Sequence, residues 1–236
     1  MKILGVDSSG MVASVAIVED GVTKAEYTVN NKKTHSQTLV PMLDEVVKMI
    51  GEGVEDVDAI AIAAGPGSFT GLRIGSAAVK GLANAFNKPI VPVPTVDGMA
   101  MNLWGCDSLV CPLMDARRKQ TYTGVYEFVK KDDTYVMETK VSQCAVAIED
   151  IIDKINELGK KVVFLGDGVP VFKEDIEQRI KVDYSYAPAN MNRQRATSVA
   201  VLGEILFKEG KIENATEHAP EYLRLSQAER ERMEKA

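Results

Sequence analysis

The sequence predicts an α/β protein in which one α/β unit occurs twice. Two observations carry this prediction. Short apolar strands alternate with helical segments along the chain, and the order of elements in residues 1–105 recurs in residues 106–236. A length of 236 residues suits two lobes of roughly 100 residues each. We therefore expect an N-terminal lobe over 1–105 and a C-terminal lobe with a tail over 106–236.

In the first half, residues 2–6, 12–18 and 22–29 have the composition of three strands. Asp20-Gly21 lies between the second and the third, and this dipeptide favours a two-residue hairpin because both central positions need a positive φ. A strand at 58–64, a helix at 76–86 rich in small residues, a strand at 89–94 and a short helix at 96–104 follow.

The segment 34–50 has helical spacing and an unusually wide apolar surface. One stripe has the spacing i, i+4, i+7 and i+11, and two methionines widen it; these residues are Leu39, Leu43, Val46, Ile50, Met42 and Met49. Such a helix is sandwiched, either inside this chain or against a partner. We expect Met42 and Met49 to be exposed in a monomer and buried in a dimer.

The second half repeats the pattern of the first. Strands are predicted at 109–114, 120–130, 135–140 and 161–165, and helices at 148–158 and 197–209. Each half contains a strand that ends in Asp, a β-meander, a helix, a strand and a Gly turn. This order is typical of a duplicated unit of the ribonuclease H type, with its boundary near Gly105.

Composition excludes several classes of protein. Hydrophobic residues make up 45% of the chain and charged residues 26%, which is enough apolar surface for a core. A net charge of −6 argues against a protein that binds nucleic acid without a partner protein. With no long apolar run, no export signal and three cysteines outside any C-x-x-C, we expect a cytoplasmic protein without a membrane partner.

The most informative loop is 65–75, Gly-Pro-Gly-Ser-Phe-Thr-Gly-Leu-Arg-Ile-Gly, between a predicted strand and a predicted helix. Backbone N–H groups of Gly65, Gly67 and Ser68 at a helix N-terminus suit a phosphate or a carboxylate. The spacing fits neither the P-loop nor the dinucleotide-binding pattern. The alternative is that the glycines allow close packing of helix on sheet, and the spacing leaves both open.

Two acidic turns stand at corresponding points of the halves, Asp7-Ser8-Ser9 and Asp115-Ala116-Arg117. In an actin-like ATPase such turns flank the nucleotide phosphates and hold Mg²⁺ through water, whereas a lone Asp more often caps a strand. The turn Gly166-Asp167-Gly168 could approach the adenosine. The candidate nucleotide-binding residues are Asp7, Ser8, Ser9, Gly65, Gly67, Ser68, Asp115, Arg117, Gly166 and Gly168. His35 is interpreted as a capping or hydrogen-bonded residue, because no second histidine follows at i+4.

Several segments together resemble the bacterial TsaB (YeaZ) family. They are Ile3-Leu4-Gly5-Val6-Asp7-Ser8-Ser9, His35-Ser36-Gln37, the loop 65–75, Lys80-Gly81-Leu82-Ala83, Asp115-Ala116-Arg117 and Pro220-Glu221-Tyr222-Leu223-Arg224. The match runs in order along nearly the whole chain. The resemblance implies an actin-like (ASKHA) fold and a role in making N6-threonylcarbamoyladenosine at position 37 of tRNA.

The resemblance also implies a pseudoenzyme. The related catalytic subunit TsaD carries a motif like Asn-His-Met-Glu-Gly-His, whose two histidines bind a metal. The corresponding positions here are Thr95 and Met99, which do not replace two imidazoles. The prediction is therefore no catalytic residue, no metal, and at most weak ATP binding.

Partners follow from the same resemblance. A TsaD-like catalytic paralogue, a TsaE-like ATPase and tRNA through the complex are implied, with a homodimer when the chain is alone. The predicted interface residues are Leu39, Met42, Leu43, Val46, Met49, Ile50, Ala77 and Lys80. The alternative function is an ATP-dependent actin-like enzyme, either a small-molecule kinase or a glycoprotease-like hydrolase.

Overall fold

A computed structural model describes residues 1–31 and 34–224. The elements of its first half, in chain order, are β1 (Lys2–Asp7), β2 (Val12–Glu19), β3 (Val22–Asn30), α1 (His35–Ile50), β4 (Ala59–Gly65), α2 (Phe69–Phe86), β5 (Ile90–Pro94) and α3 (Thr95–Ala100). The elements of its second half are β6 (Leu109–Asp115), β7 (Gln120–Lys131), β8 (Thr134–Ala147), α4 (Ile148–Leu158), β9 (Val162–Leu165), α5 (Val169–Arg179), β10 (Tyr184–Tyr186) and α6 (Ala196–Lys208).

The strands form two five-stranded sheets with the same topology. The first sheet has the order β3-β2-β1-β4-β5 and the second has the order β8-β7-β6-β9-β10. In each, the first three strands are antiparallel and the last two join the central strand in parallel. The duplication predicted from the order of elements is confirmed, and the chain has the actin-like fold of two ribonuclease H-like units.

The first hairpin forms as its turn sequence predicts. Glu19 pairs with Val22, and the two residues between them have φ of 48° at Asp20 and 77° at Gly21. Both values lie in the left-handed region that a type I′ turn requires. The turn sets the register of β2 against β3. On its other side, β2 pairs antiparallel with the buried central strand β1.

The first sheet is covered on both faces. On one face α1 and α2 pack against it, and on the other face α6 packs against it while α3 contacts both sheets. Glycines permit this close packing: a Cβ on Gly5 would overlap the carbonyl oxygen of Ala196, and one on Gly203 would overlap Ala61. Although α6 lies in the predicted range 106–236, it packs on the first sheet. The division into 1–105 and 106–236 remains a prediction.

The prediction that Met42 is exposed in the monomer is wrong. Met42 is only 4% exposed and packs with Leu39, Leu43 and Val46 in the core between α1 and the first sheet. The apolar stripe is wide because α1 contacts β2, β3 and α2 at once. The interpretation of a helix sandwiched inside this chain therefore holds for these four residues. Met49, in contrast, is 77% exposed, as predicted.

α5 and β10 were not predicted from the sequence. In α5 only Phe172 and Ile176 are buried, so its apolar pattern is too sparse to stand out. β10 is three residues long. α2 begins at Phe69, well before the predicted start, because Ser68 caps it by accepting a hydrogen bond from the backbone N–H of Gly71 (3.3 Å). Across the described ranges, the helices are too short or too polar to cross a bilayer.

Candidate functional site

The acidic turn after β1 is closed by its own hydrogen bonds. One carboxylate oxygen of Asp7 accepts from the backbone N–H (2.9 Å) and the hydroxyl (2.7 Å) of Ser9, and the Ser8 hydroxyl donates to the carbonyl of Gly71 (2.9 Å). Burial raises the pKa of Asp7 to about 6, although the bonds from Ser9 oppose the shift. The carboxylate lies beneath the surface of the neighbouring cleft, and only Ser9 of this turn lines it.

The glycines of the loop 65–75 serve close packing. A Cβ on Gly67 would overlap the carbonyl oxygen of Ser9, and one on Gly71 would overlap that of Ser8. The N–H of Ser68 is engaged as well, because it donates to the Ser9 carbonyl (2.6 Å). Of the two interpretations left open by the spacing, the structure favours packing of α2 against the Asp7 turn. Gly67 and Ser68 still reach the edge of the cleft.

The second acidic turn lies across the cleft and is more open. The backbone N–H of Arg117 donates to Asp115 (2.8 Å), and the Arg117 guanidinium pairs with the same carboxylate (3.1 Å). Arg117, Arg118 and Lys119 have φ of 64°, 55° and 58°, so three consecutive basic residues adopt the left-handed conformation. All three side chains are exposed, and those of Arg117 and Arg118 line the mouth of the cleft.

The turn after β9 contributes Asp167 and not the two predicted glycines. The N–H groups of Gly166 and Gly168 donate to the carbonyls of Asn192 (3.0 Å) and Leu113 (2.9 Å), and neither glycine lines the cleft. Asp167 does line it, and one of its carboxylate oxygens is buried without a hydrogen-bond partner among the described residues. Burial raises the pKa of this carboxyl.

These groups surround a cleft of about 820 Å³ between the two lobes. Five of the predicted residues line it: Ser9, Gly67, Ser68, Asp115 and Arg117. Five do not: Asp7, Ser8, Gly65, Gly166 and Gly168. Sequence reasoning missed Asp167, His35 and Arg224 as lining residues, although each lies inside or beside a segment that had been singled out. The cleft has the size of a small-molecule site.

Thr95 and Met99, the two residues that the resemblance pairs with the metal ligands of TsaD, are engaged in packing. Thr95 accepts a hydrogen bond from the backbone N–H of Gly65 (3.1 Å), and Met99 is buried in the core shared by the two lobes. Between them, Asp97 accepts a bond of 2.5 Å from the hydroxyl of the buried Tyr126. Burial raises the pKa of Asp97. Within 1–31 and 34–224, no three His, Cys, Asp or Glu side chains form a cluster able to hold a metal.

Both histidines are hydrogen-bonded. Nε2 of His35 donates to the carbonyl of Gly10 (2.8 Å), as the interpretation of a hydrogen-bonded residue predicted. His218 is buried; its Nδ1 faces the Glu213 carboxylate (2.9 Å) and its Nε2 faces the Ser76 hydroxyl (3.0 Å). Serine hydrolases use the same order of groups, but Ser76 is buried and no substrate reaches it. We assign the three residues a structural role.

The segment after α6 joins the predicted motifs. Tyr222 stacks on Phe69 with ring centroids 4.4 Å apart, and its hydroxyl accepts from Nε of Arg73 (3.1 Å). Arg224 donates to the carbonyl of Ala116 in the second acidic turn. The motif Pro220–Arg224 thus contacts both the loop 65–75 and the turn 115–117. The sequence showed these segments as separate motifs and offered no signal that they meet.

A further surface lies where α1 and α2 run side by side. We call it the α1–α2 face. It consists of the exposed residues Val40, Ala77, Gly81 and Ala85 with the half-buried Ile74, Ala78 and Leu82. The groove between the helices is apolar, and nothing lies within 4 Å of a Cβ placed on Gly81. Of the predicted interface, Ala77 is exposed here. Lys80 is turned away to bond the carbonyl of His218 (2.9 Å).

Two duplicated lobes that enclose a cleft define this chain as an actin-like two-lobed protein. Its fold matches two solved structures at 24% sequence identity: YeaZ from Pseudomonas aeruginosa, with a TM-score of 0.76, and an uncharacterized protein with similarity to peptidase YEAZ from Pseudomonas aeruginosa, with a TM-score of 0.79. Each match covers 94% of this chain and 99% of the other. A family model described as tRNA N6-adenosine threonylcarbamoyltransferase (TsaD) matches residues 25–232.

Relatives in sequence narrow the assignment. The tRNA threonylcarbamoyladenosine biosynthesis protein TsaB of Bacillus subtilis is 31% identical, over 97% of this chain and 96% of its own length. TsaB of Escherichia coli is 29% identical, over 71% of this chain and 72% of its own length. The chain therefore belongs to the TsaB (YeaZ) family, whose members are named for tRNA threonylcarbamoyladenosine biosynthesis.

Proposed function

We propose that this chain is a non-catalytic subunit in the synthesis of N6-threonylcarbamoyladenosine on tRNA, where it pairs with and activates a TsaD-like paralogue. The observation that carries the proposal is what Thr95 and Met99 do in the fold. The resemblance pairs these two residues with the metal ligands of TsaD, but here the Thr95 hydroxyl accepts a bond from a backbone N–H and Met99 is buried in the core. Neither side chain supplies a nitrogen ligand, so these two positions contribute to packing and not to a metal site.

The pairing surface is proposed to be the α1–α2 face. Its centre is an exposed strip of small residues, Ala77, Gly81 and Ala85, spaced four apart on α2. Small side chains let a second helix approach closely, and Val40 with Leu82 supplies apolar area beside the strip. Because a paralogue shares the same lobe, one geometry serves both a homodimer of the isolated chain and a heterodimer with the TsaD-like subunit.

The remaining partners are proposed from the family alone. A TsaE-like ATPase and tRNA would join through the complex, since a chain of net charge −6 has no general affinity for nucleic acid. Arg117 and Arg118 at the mouth of the cleft form a local patch of positive charge.

The cleft of about 820 Å³ favours one second candidate, an ATP-dependent actin-like enzyme. Two observations speak for the non-catalytic proposal instead. Asp7, which would have to face a hydrated Mg²⁺, is buried under its own turn, and the N–H of Ser68 is already bonded to Ser9. We propose that the residues lining the cleft are a vestigial nucleotide site with weak affinity.

The test is reconstitution of the modification with the cognate TsaD-like enzyme, the TsaE-like ATPase, an enzyme that activates threonine and bicarbonate with ATP, and tRNA. The proposal expects product only when this chain is present, and equal product with Asp115→Asn and Asp167→Asn variants. If those cleft variants lose activity while the complex still forms, the result would contradict the non-catalytic proposal and support the ATP-dependent enzyme.

A further inference from the structure

The segment after α6 spans both lobes. Its residues 213–224, which we call the tail strap, leave the first sheet at Glu213 and end beside the second acidic turn at Arg224. Along this path the strap passes the rim of the cleft, and Arg224 itself is one of the lining residues.

The first-lobe end of the strap is buried and held by many bonds. Glu213 pairs through its backbone with Ile90 (2.9 and 2.8 Å), which extends the edge of the first sheet. His218 is 1% exposed and bridges Glu213 and Ser76, and its carbonyl accepts from Lys80. Breaking this end would leave buried polar groups without partners, so it opens at high cost.

The middle of the strap crosses the start of α2. The backbone N–H of Glu221 donates to the carbonyl of Ala64 (2.7 Å), and a Cβ on Gly65 would overlap the Glu221 carbonyl. Tyr222 then stacks on Phe69, while Arg73 approaches both rings at 5.8 and 5.9 Å. The strap therefore stays attached to the first lobe as far as residue 222.

The second-lobe end is held by fewer and more exposed contacts. The carboxylate of Glu221 accepts from the Gln143 amide on β8 (3.1 Å), and Arg224 donates to the Ala116 carbonyl. Leu223 lies between them and packs against the core shared by the lobes. Contacts of this kind open at lower free energy than a buried network, so this end should detach first.

From this asymmetry we infer that the tail strap is a clasp that sets the width of the interlobe cleft. It is anchored firmly on the first lobe and fastened reversibly to the second through Glu221 and Arg224. Release of the second-lobe end lets the lobes move apart without unfolding either one. The inference concerns the motion of this chain and stands whether or not the chain activates a TsaD-like partner.

The test measures the distance between the lobes by double electron–electron resonance. Spin labels are placed at the exposed positions Glu45 on α1 and Glu174 on α5, in a chain carrying Cys106→Ser and Cys144→Ser. An excess of unlabelled chain ensures that the distances arise within one molecule. The test variant is Gln143→Ala with Arg224→Ala, and the matched control is Arg179→Ala, an exposed arginine whose ion pair with Glu149 is 4.0 Å long.

The clasp predicts a longer and broader interlobe distance in the double variant, and the parent distribution in the control. Hydrogen exchange of the Glu221 amide should stay at the parent rate in the same variant, because its bond to the Ala64 carbonyl lies within the first lobe. An unchanged distance would overturn the inference, because the second-lobe bonds would then not set the width of the cleft. Faster exchange of the Glu221 amide would overturn it too, since the strap would then have left the first lobe as well. Gln143→Ala alone repeats the measurement if the double variant does not fold.

Discussion

The ring of Tyr222 lies parallel to the ring of Phe69, with centroids 4.4 Å apart and an angle of 7° between the planes. Phe69 is the first residue of α2, and Tyr222 belongs to the segment after α6. The contact joins two motifs that lie far apart in the sequence. Arg73, which follows Phe69 on α2 and bonds the Tyr222 hydroxyl, is 149 residues from Tyr222. The contact holds the segment after α6 against the start of α2.

Tyr222→Ala should lower the free energy of unfolding by about 2 kcal/mol, because it removes a stacked ring and the apolar area beneath it. Tyr222→Phe keeps the stack and loses only the bond from Arg73, so about 0.5–1 kcal/mol is expected. Denaturant titration measures both. Tyr27→Ala, a similarly exposed tyrosine on the edge strand β3, is the control and should change stability by less than about 0.5 kcal/mol. Equal losses at Tyr27 and Tyr222 would contradict the account.

Ionisation of the buried Asp7 should lower the free energy of unfolding as pH rises. Its pKa is about 6 in the folded protein against an ordinary value of 3.8, so the folded state holds the proton more tightly. The stabilisation is complete below pH 3.8 and is lost as pH rises through about 6. The full difference is worth about 3 kcal/mol, at 1.36 kcal/mol per pKa unit.

The measurement is denaturant unfolding of the parent and of Asp7→Asn between pH 4 and 8. Asparagine keeps an oxygen that accepts from Ser9 and cannot ionise. The variant should therefore gain stability relative to the parent as pH rises, by at most about 3 kcal/mol at pH 7. If the difference in free energy of unfolding between the parent and the variant does not depend on pH, burial does not raise the pKa of this carboxyl. Asp115→Asn, the equivalent change in the second turn, controls for the loss of a strand-end charge.

Isothermal titration with ATP and Mg²⁺ should show no saturable binding below about 1 mM, a free energy weaker than about −4 kcal/mol. The reason is that the N–H of Ser68 and the carboxylate of Asp7 are already used within the protein. A dissociation constant near 1 μM, about −8 kcal/mol, would mean that the cleft is a working nucleotide site.

Met42→Glu should unfold the chain or cost more than about 3 kcal/mol, because it places a charge in the core beneath α1. Met49→Glu changes the same residue type on the same helix where the side chain is exposed, and should cost less than about 0.5 kcal/mol. Thermal melts followed by circular dichroism compare the two. A folded Met42→Glu chain with an unchanged melt would contradict the burial of this residue.

Local patterns in the sequence predict most of the fold. The Asp20-Gly21 turn, the strands that end at Asp7 and Asp115, and the repeated order of elements all depend on near neighbours in the chain, and the structure confirms them. α5 was missed because two buried residues are too few to mark a helical face.

The candidate site was harder to predict because it depends on distant contacts. Periodicity showed that α1 is apolar around much of its circumference, but not that Met42 is buried in the core between α1 and the first sheet. The glycines of the loop 65–75 are equally compatible with an anion and with packing until the carbonyls of Ser8 and Ser9 are placed against them. No spacing rule connects Tyr222 with Phe69.

We propose that this chain acts by pairing with a TsaD-like subunit through the α1–α2 face. Sedimentation velocity of the chain mixed with its cognate TsaD-like protein is the most direct test, with Ala77→Glu as the variant and Val171→Glu, an exposed apolar residue on α5, as the control. A heterodimer is expected for the parent and for Val171→Glu, and separate subunits for a folded Ala77→Glu chain, because an unpaired charge in a dry interface costs several kcal/mol. A heterodimer that survives Ala77→Glu with unchanged affinity would contradict it.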